Sequence, residues 1–404
     1  VFSSTLHTNV CVLRIISEWQ ILLTLTSYYA RVYKDALMEN THFTEEILPG
    51  IYRVDLSDTT VEQGVSNIHI FIIKGRDDVN SGRSLMIDTG FRNDACLQKL
   101  MSSLEELKIQ PDTLDIFLTH RHHDHCGLAG AFSEKGARLF MNPTEERHPY
   151  DCLAYRVSRE SLDAQKKVLH SVGITPERTP QIWKTFMEIS DRVQHHGEWV
   201  LAIWGFPYTE IHEGDRFCYG DYKFEATLLK GHTYGQMGLM EHEKKIFFTA
   251  DQIIHDISPI VATTYPDEGL LLSFFDSLRY VKEHCSQWTV IPSHGEILSD
   301  VQRDVDKTVF SYLNKATVVR DILKAKALRT KEVSAYDPDA TSEMTIQEVA
   351  EIIYNVKHIP ENEGEFFNYK MFMTKTYSLL EYLYDLGFIR REERDGTFYW
   401  SYTN

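Results

Sequence analysis

No CxxC pair occurs in the 404 residues, and the six cysteines, Cys11, Cys96, Cys126, Cys152, Cys218 and Cys285, lie far apart. A dense disulfide framework is therefore excluded, reduced thiols are expected, and the cytoplasm is the compartment that fits. Basic charge is scarce as well: 42 Lys and Arg stand against 59 Asp and Glu, a formal net charge of −17. Such a field repels nucleic acid and anionic membrane on average, so a polyanion is not the expected partner, although a local basic patch can override an average. Long apolar runs are missing too. The stretch 9–32 is rich in Leu, Ile, Val and Tyr, but Arg14, Glu18 and Arg31 interrupt it, and its longest uncharged run, 19–30, is too short to span a bilayer. Arg14 and Glu18 also crowd the apolar region that a signal peptide needs, and no small-residue cleavage site follows. Methionine is absent before Met38, and residues 1–37 are read as a leader outside the functional fold.

What is present is a globular composition, 43% hydrophobic and 25% charged, over a length that suggests two or three domains. From Met38 the pattern turns to short alternating runs at 51–56, 68–73 and 84–87, the last closing on Asp88-Thr89-Gly90. Alternation bounded by turn residues predicts strands. A helix is predicted over 93–107, then an apolar strand over 114–118 that runs into Thr119-His120-Arg121-His122-His123-Asp124-His125. Strand, helix, strand and polar loop make an α/β layer. Between about 145 and 207 apolar residues recur at helical spacing (Val168, Leu169, Val172; Ile182, Trp183, Phe186, Ile189, Val193), which predicts a helical insertion. Strands resume at 222–229, 237–240 and 245–250, followed by a helix over 270–284 and a strand over 288–291 that leads to Pro292-Ser293-His294-Gly295. A long helix from about 299 to 328 precedes a small unit with helices at 346–356 and 369–386 and a hairpin turning at Asp395-Gly396, the wing expected of a winged helix.

The chemistry concentrates in one cluster of side chains. Imidazole and carboxylate suit a divalent zinc ion, and His120, His122, Asp124 and His125 supply four such groups on one short loop. Alternate residues at a strand end point the same way, so His120 and His122 can share one ion while Asp124 and His125 turn toward another. His232, Asp251 and His294, each at a predicted strand end, bring the set to seven, enough for two ions. Any one of these residues alone is more often a surface or hydrogen-bonded core residue than a ligand. Together they are not explained that way. Asp88-Thr89-Gly90 has a plain reading as a turn. His123, His195, His196, His242, His255 and His284 lack supporting spacing and are read as non-ligands, and Cys126 is read as a small buried thiol.

Over roughly 47–299 the sequence resembles the metallo-beta-lactamase superfamily of hydrolases, through Asp88-Thr89-Gly90, the HxHxDH loop from His120 to His125, the Gly-His of His232, Asp251 and the glycine-flanked His294. The resemblance implies a four-layer αββα sandwich with two mixed sheets face to face and the site at one edge. It implies His120, His122 and His232 on one metal, Asp124, His125 and His294 on the other, and Asp251 between them. Two divalent ions, Zn2+ favoured over Fe or Mn, would then hold water as a hydroxide nucleophile, with Asp124 orienting it or relaying a proton and Asp88 fixing a ligand histidine from behind. The HxHxDH form argues against the redox-active flavodiiron branch. One departure is Gln236, where many relatives carry a histidine.

The domain reading is thus a catalytic domain over 38–300 with an insertion at about 145–207, then a linker helix and winged-helix-like α+β unit over 301–404. The insertion is expected over the metal edge, with Tyr150, Tyr155, Trp183, Trp199, Trp204 and Tyr208 as pocket wall, although aromatics at helical spacing are more often packing. A small, partly apolar ester, thioester or lactone is the favoured substrate. A winged helix after this fold also resembles the beta-lactamase-like endoribonucleases, which act on single-stranded RNA. Charge disfavours that alternative: residues 315–404 hold 12 Lys and Arg against 15 Asp and Glu, without the basic surplus of a nucleic-acid clamp. Arg390, Arg391 and Arg394 are interleaved with Glu392, Glu393 and Asp395, so the tail is read as a packing element or homodimer contact.

Overall fold

Side chains on alternate strand positions divide between three cores, and that division sets the layers. Ile70, Ile72, Met86 and Ile116 belong to one buried cluster, while their neighbours Phe71, Ile73, Leu85, Ile87 and Phe117 belong to another. The same period of two recurs in the second half of the chain, where Phe248 and Ile291 face the second cluster and Phe247 and Val290 a third. In this computed structural model the residues described are 42–58, 67–147, 159–196 and 205–403, apart from 265, 335 and 338; the expected leader, 1–37, lies outside them.

The first sheet has the order β1 (Glu45–Leu48), β2 (Ile51–Ser57), β3 (Asn67–Ile73), β4 (Ser84–Ile87), β5 (Leu114–Phe117), β6 (Arg138–Met141), β7 (Thr209–Glu210). Pairing is antiparallel from β2 to β4 and parallel from β4 to β7. The second sheet has the order β12 (Thr289–Pro292), β11 (Ile246–Ala250), β10 (Met237–Glu241), β9 (Tyr222–Leu228), β8 (Arg216–Tyr219), antiparallel except for the parallel β11–β12 pair. Helix α1 (Asp94–Leu107), capped by the Asn93 side chain, buries Leu100, Leu104 and Leu107 against the outer face of the first sheet. Two short helices at the site, α2 (His123–Cys126) and α3 (Ala129–Glu134), follow β5, and a single turn, α4 (Thr144–Arg147), follows β6.

The outer face of the second sheet is covered by α5 (Arg159–Val172), α6 (Pro180–His196), α7 (Leu270–Cys285) and the long α8 (Val301–Val333). The expected αββα sandwich is the observed architecture. Beyond α8 come β13 (Met344–Thr345), α9 (Ile346–Ile353), α10 (Glu363–Asp385) and the hairpin β14 (Ile389–Arg394) and β15 (Thr397–Tyr402), an α+β unit with a sheet ordered β13-β15-β14. Tyr377 and Trp400 of this unit share one apolar cluster with Phe274 of α7 and Phe247 of β11, so residues 46–404 are compact as a whole.

The two described long helices of the insertion, α5 and α6, pack on the C-terminal unit, while its first residues, Glu145 and Glu146, lie in α4. Phe186 of α6 stacks on Phe366 of α10 at 5.7 Å, and Thr397 of β15 donates to the carbonyl of His170 in α5. Trp183 packs on His170 and Phe186, and Tyr208 donates to Glu146, so both are packing residues. Tyr150, Tyr155, Trp199 and Trp204 fall outside the described residues.

Glu381 of α10 is an acid sealed in the third core, 1% exposed, and its carboxylate accepts the Asp267 amide at 2.5 Å. Burial pushes the carboxyl up from 4.5 to about 7; hydrogen bonds from the Asp267 and Glu268 amides oppose this, and the charges of Asp385 and Asp267 add to it. The folded state therefore holds a proton that the unfolded chain releases, and its stabilising effect, complete below 4.5, is lost as pH rises through about 7. Urea unfolding of Glu381→Gln should show a gain over wild type that grows by up to roughly 3 kcal/mol between about pH 5 and about pH 8. A gap independent of pH would contradict this.

Candidate metal centre

Parallel pairing of β4 with β5 places two loop ends side by side, and the site begins there. Asp88, at the end of β4, accepts the Thr119 amide at 2.8 Å and the Thr119 hydroxyl at 2.8 Å through its two oxygens, and it accepts His125 Nδ1–H at 2.8 Å. Thr89 donates through its hydroxyl to the His125 carbonyl at 2.9 Å. The Asp-Thr-Gly motif thus makes a turn and also backs the histidine loop. In the second sheet the parallel β11–β12 pair does the same work, bringing Asp251 beside His294 across 3.4 Å.

Two groups of donors result. His120 Nε2 and His232 Nε2 each stand 2.9 Å from His122 Nδ1. The far nitrogens of two of these rings are engaged elsewhere: His120 Nδ1 on the Thr119 hydroxyl at 3.0 Å, and His232 Nδ1 donating to the Ile260 carbonyl at 2.7 Å. In the second group, Asp124 Oδ2 lies 3.6 Å from His125 Nε2 and 3.3 Å from His294 Nε2, and His294 Nδ1 donates to the Asn67 carbonyl at 2.6 Å. Asp251 stands between the groups, with Oδ1 3.5 Å from His125 and Oδ2 3.4 Å from His232. All seven expected side chains therefore meet in one place, and their donor atoms form three overlapping sets, each within 4.8 Å.

Whether this set fits a cation is a question of electrostatics and of unsatisfied atoms. His125 Nε2, His294 Nε2 and Asp251 Oδ1 are buried and without a hydrogen-bond partner, a costly arrangement unless something else is bound. Burial pushes His120 and His122 well below the ordinary histidine value and their imidazole neighbours add to it, leaving both neutral, the form that ligates metal. Burial acts the same way on His125 and His294, but there the carboxylates win: Asp124, Asp251 and Asp88 lift His125, and Asp251 and Asp124 lift His294 to about 10. The second pocket calls for positive charge, which protons or a divalent ion can supply. The residues fit two adjacent N/O-liganded cations.

Local backbone explains why these residues can gather. Gly231 sits at φ +150°, and a Cβ there would stand 2.5 Å from the Cα of Phe274, so the residue before His232 has to be glycine. Gln236 accepts the Asp251 amide at 3.3 Å and donates to Gln252 at 3.1 Å; it works on the protein interior. Cys126 donates to the carbonyls of Arg121 and His122, and burial keeps its thiol well above the usual range, in line with a buried, unreactive thiol.

Two supporting residues escape a reading of the sequence. Glu145, 1% exposed, accepts the Thr233 hydroxyl at 2.7 Å and the Gly235 amide at 2.6 Å with one oxygen, and the Arg121 amide at 2.9 Å with the other. It ties the loop of His120 and His122 to the loop of His232. His69 reaches the Gly295 carbonyl at 2.8 Å through Nε2 and Asp55 at 2.7 Å through Nδ1, holding the His294 turn to β3. Outside the site, His255, Asp256 and Asp304 form a further His/Asp group, with His255 Nδ1 at 3.0 Å from both Asp304 oxygens and Lys307 paired with Asp256.

Comparison with known proteins agrees with this geometry. The family model of the metallo-beta-lactamase superfamily matches residues 64–284, more than half of the chain. Hydroxyacylglutathione hydrolase GloC of Haemophilus influenzae is 26% identical over 155 residues, 38% of this chain and 55% of that protein, so the match spans about half of its length. Among solved structures, a metallo-beta-lactamase family protein of Thermus thermophilus superposes with a TM-score of 0.64 at 18% identity, covering 88% of this chain and 100% of that one. A beta-lactamase domain protein of Burkholderia ambifaria does so with 0.64 at 17% identity, covering 89% and 93%. At these identities the two structures show a shared fold.

Replacing Glu145 by Ala would leave the buried Gly235 and Arg121 amides without their acceptor. Chemical denaturation should register a loss of about 3 kcal/mol, and an unchanged midpoint would show that the two loops do not depend on this carboxylate.

Proposed function

This chain belongs to the metallo-beta-lactamase superfamily and is an enzyme of that group of hydrolases, and on that premise we propose that it is a dinuclear, zinc-dependent hydrolase of a small, partly apolar thioester, ester or lactone. The observation that carries the reading is the position of Asp251, whose two oxygens face two separate sets of buried ring nitrogens. His120, His122 and His232 are the proposed ligands of one ion, and Asp124, His125 and His294 those of the other, with Asp251 shared. Ions bound there would supply Lewis acidity and lower the pKa of a bound water. The donor set, imidazole and carboxylate without thiolate, suits zinc and also accommodates iron or manganese.

The chain's own groups do the rest. Asp124, whose Oδ2 stands 3.3 Å from His294 Nε2 and 3.6 Å from His125 Nε2 at the edge of the second donor set, is the group that would orient the reacting water and take its proton. Asp88 keeps His125 in the tautomer that presents Nε2 inward. A thioester leads among the substrates because the GloC relative is named a hydroxyacylglutathione hydrolase. The domain division proposed is a catalytic domain over 38–300, carrying the insertion, and a winged-helix-like unit over 301–404 that is also a candidate homodimer contact. The cytoplasm is the proposed compartment, in keeping with free Cys96, Cys126, Cys218 and Cys285; among the described residues no helix is long and apolar enough to cross a membrane.

The alternative substrate class, single-stranded RNA, is favoured only by the α+β unit after α8. A panel of an acyl-thioester, a lactone, a bis-aryl phosphodiester and single-stranded RNA, tested on the full chain, separates the two. We expect turnover of the thioester, its loss on chelation and recovery with zinc, and a fall on the order of a hundredfold or more in Asp124→Ala. RNA cleavage abolished by Asp124→Ala, without ester or thioester turnover, would overturn the substrate assignment. Metal analysis should find two zinc equivalents per chain, falling toward one in His232→Ala; a single equivalent in wild type would sink the dinuclear reading.

A further inference from the structure

A carbonyl orients an imidazole only as firmly as its own peptide is held. The carbonyl that takes His232 Nδ1–H belongs to Ile260, in the irregular segment 251–269 between β11 and α7. Among its described residues the regular pairing within that segment is the bridge of Ile254 with Ile257, so the question is what holds the rest. The answer lies in the last hundred residues. Tyr312 of α8, 5% exposed, spans Ile260 from both sides: its hydroxyl donates to the Pro259 carbonyl at 2.5 Å and accepts the Val261 amide at 2.9 Å. Ser378 of α10 shares its hydroxyl between the Val261 carbonyl at 3.0 Å and the Lys375 carbonyl of its own helix at 2.8 Å, and the Thr263 amide donates to the Thr374 carbonyl of the same helix at 3.2 Å. Near the start of the segment His255 is bound to Asp304 of α8, and near its end the Asp267 amide is bound to Glu381 of α10.

We infer that the C-terminal unit is a structural part of the metal centre: Tyr312 and Ser378 are positioning residues that fix the Ile260 carbonyl and, through it, the ring of His232. This rests on the metal site proposed above. It gives residues 301–404 a task that needs neither nucleic acid nor a second subunit. The task explains why a buried tyrosine hydroxyl and a buried serine hydroxyl from two helices of the C-terminal half both end on the two peptides flanking one loop carbonyl.

Zinc affinity, measured by competition with a chromophoric chelator, tests it on wild type, Tyr312→Phe, Ser378→Ala and Tyr369→Phe. Each substitution removes a single hydroxyl oxygen. Tyr369 is the control, since its hydroxyl donates to Glu351 within the C-terminal unit, at 2.6 Å, and not to the segment 251–269. Partners that orient a ligand histidine typically change metal affinity by about 10–100-fold; one step further out, we expect about a tenfold weakening of one of the two zinc equivalents in Tyr312→Phe and in Ser378→Ala. The other equivalent and both equivalents in Tyr369→Phe should match wild type. Affinities in both test variants equal to a wild type that binds two zinc ions would overturn the inference alone. Equal weakening in Tyr369→Phe would overturn it too, by showing general loosening. A wild type that binds no zinc would instead remove the metal site itself. Should Tyr312→Phe lose cooperative unfolding, Ser378→Ala decides the matter.

Discussion

Two oxygens of one buried carboxylate face two sets of ring nitrogens, and among the described residues that carboxylate pairs with no lysine or arginine. Asp251 with His125 and His232 on either side is an arrangement that the protein interior penalises unless positive charge is supplied from outside the chain. Much of the surrounding structure can be understood as preparation for that charge. Asp88, Thr119, the Ile260 carbonyl and the Asn67 carbonyl each engage the outward nitrogen of a different ring, so the inward nitrogens of His125, His120, His232 and His294 are left with their lone pairs converging. The parallel strand pairs β4–β5 and β11–β12 bring the loop ends into register, one pair in each sheet. The sandwich exists at this edge as two half-sites, closed on each other when the inner faces pack around Phe71 and Phe248, whose rings stand 5.1 Å apart.

The sequence disclosed the central features because they are local. The short apolar runs at 68–73 and 84–87, the latter closing on Asp88-Thr89-Gly90, and the helix over α1 were legible, and all were found. The His120 loop carries its chemistry in six consecutive residues, and the other three ligand candidates sit at strand ends. β6 and the edge strand β8, four residues each and opening on Arg138 and on Arg216, whose side chain is 81% exposed, are too short to stand out and were not foreseen. Glu145 and His69 were invisible for a different reason. Their partners lie 90 and 226 residues away, at Gly235 and Gly295, and a glutamate in a helical turn carries no mark of the amides it will meet.

The helical insertion shows the limit of periodicity. Ile182, Phe186 and Ile189 recur at a spacing that says one face of α6 is buried, and it is buried; what the spacing omits is the partner. The partner is α10 and its hairpin, not the metal edge. Insertion and tail therefore cover each other and jointly cover the second sheet, which gives the tail a structural place that its interleaved charges already suggested.

The most direct test is a crystal of the zinc-loaded protein measured at the zinc absorption edge. The account predicts two anomalous peaks about 3.5–4 Å apart, one among His120 Nε2, His122 Nδ1 and His232 Nε2 and the other among Asp124, His125 and His294, with Asp251 touching both. A single peak away from Asp251, at His255 and Asp304 for instance, would contradict it.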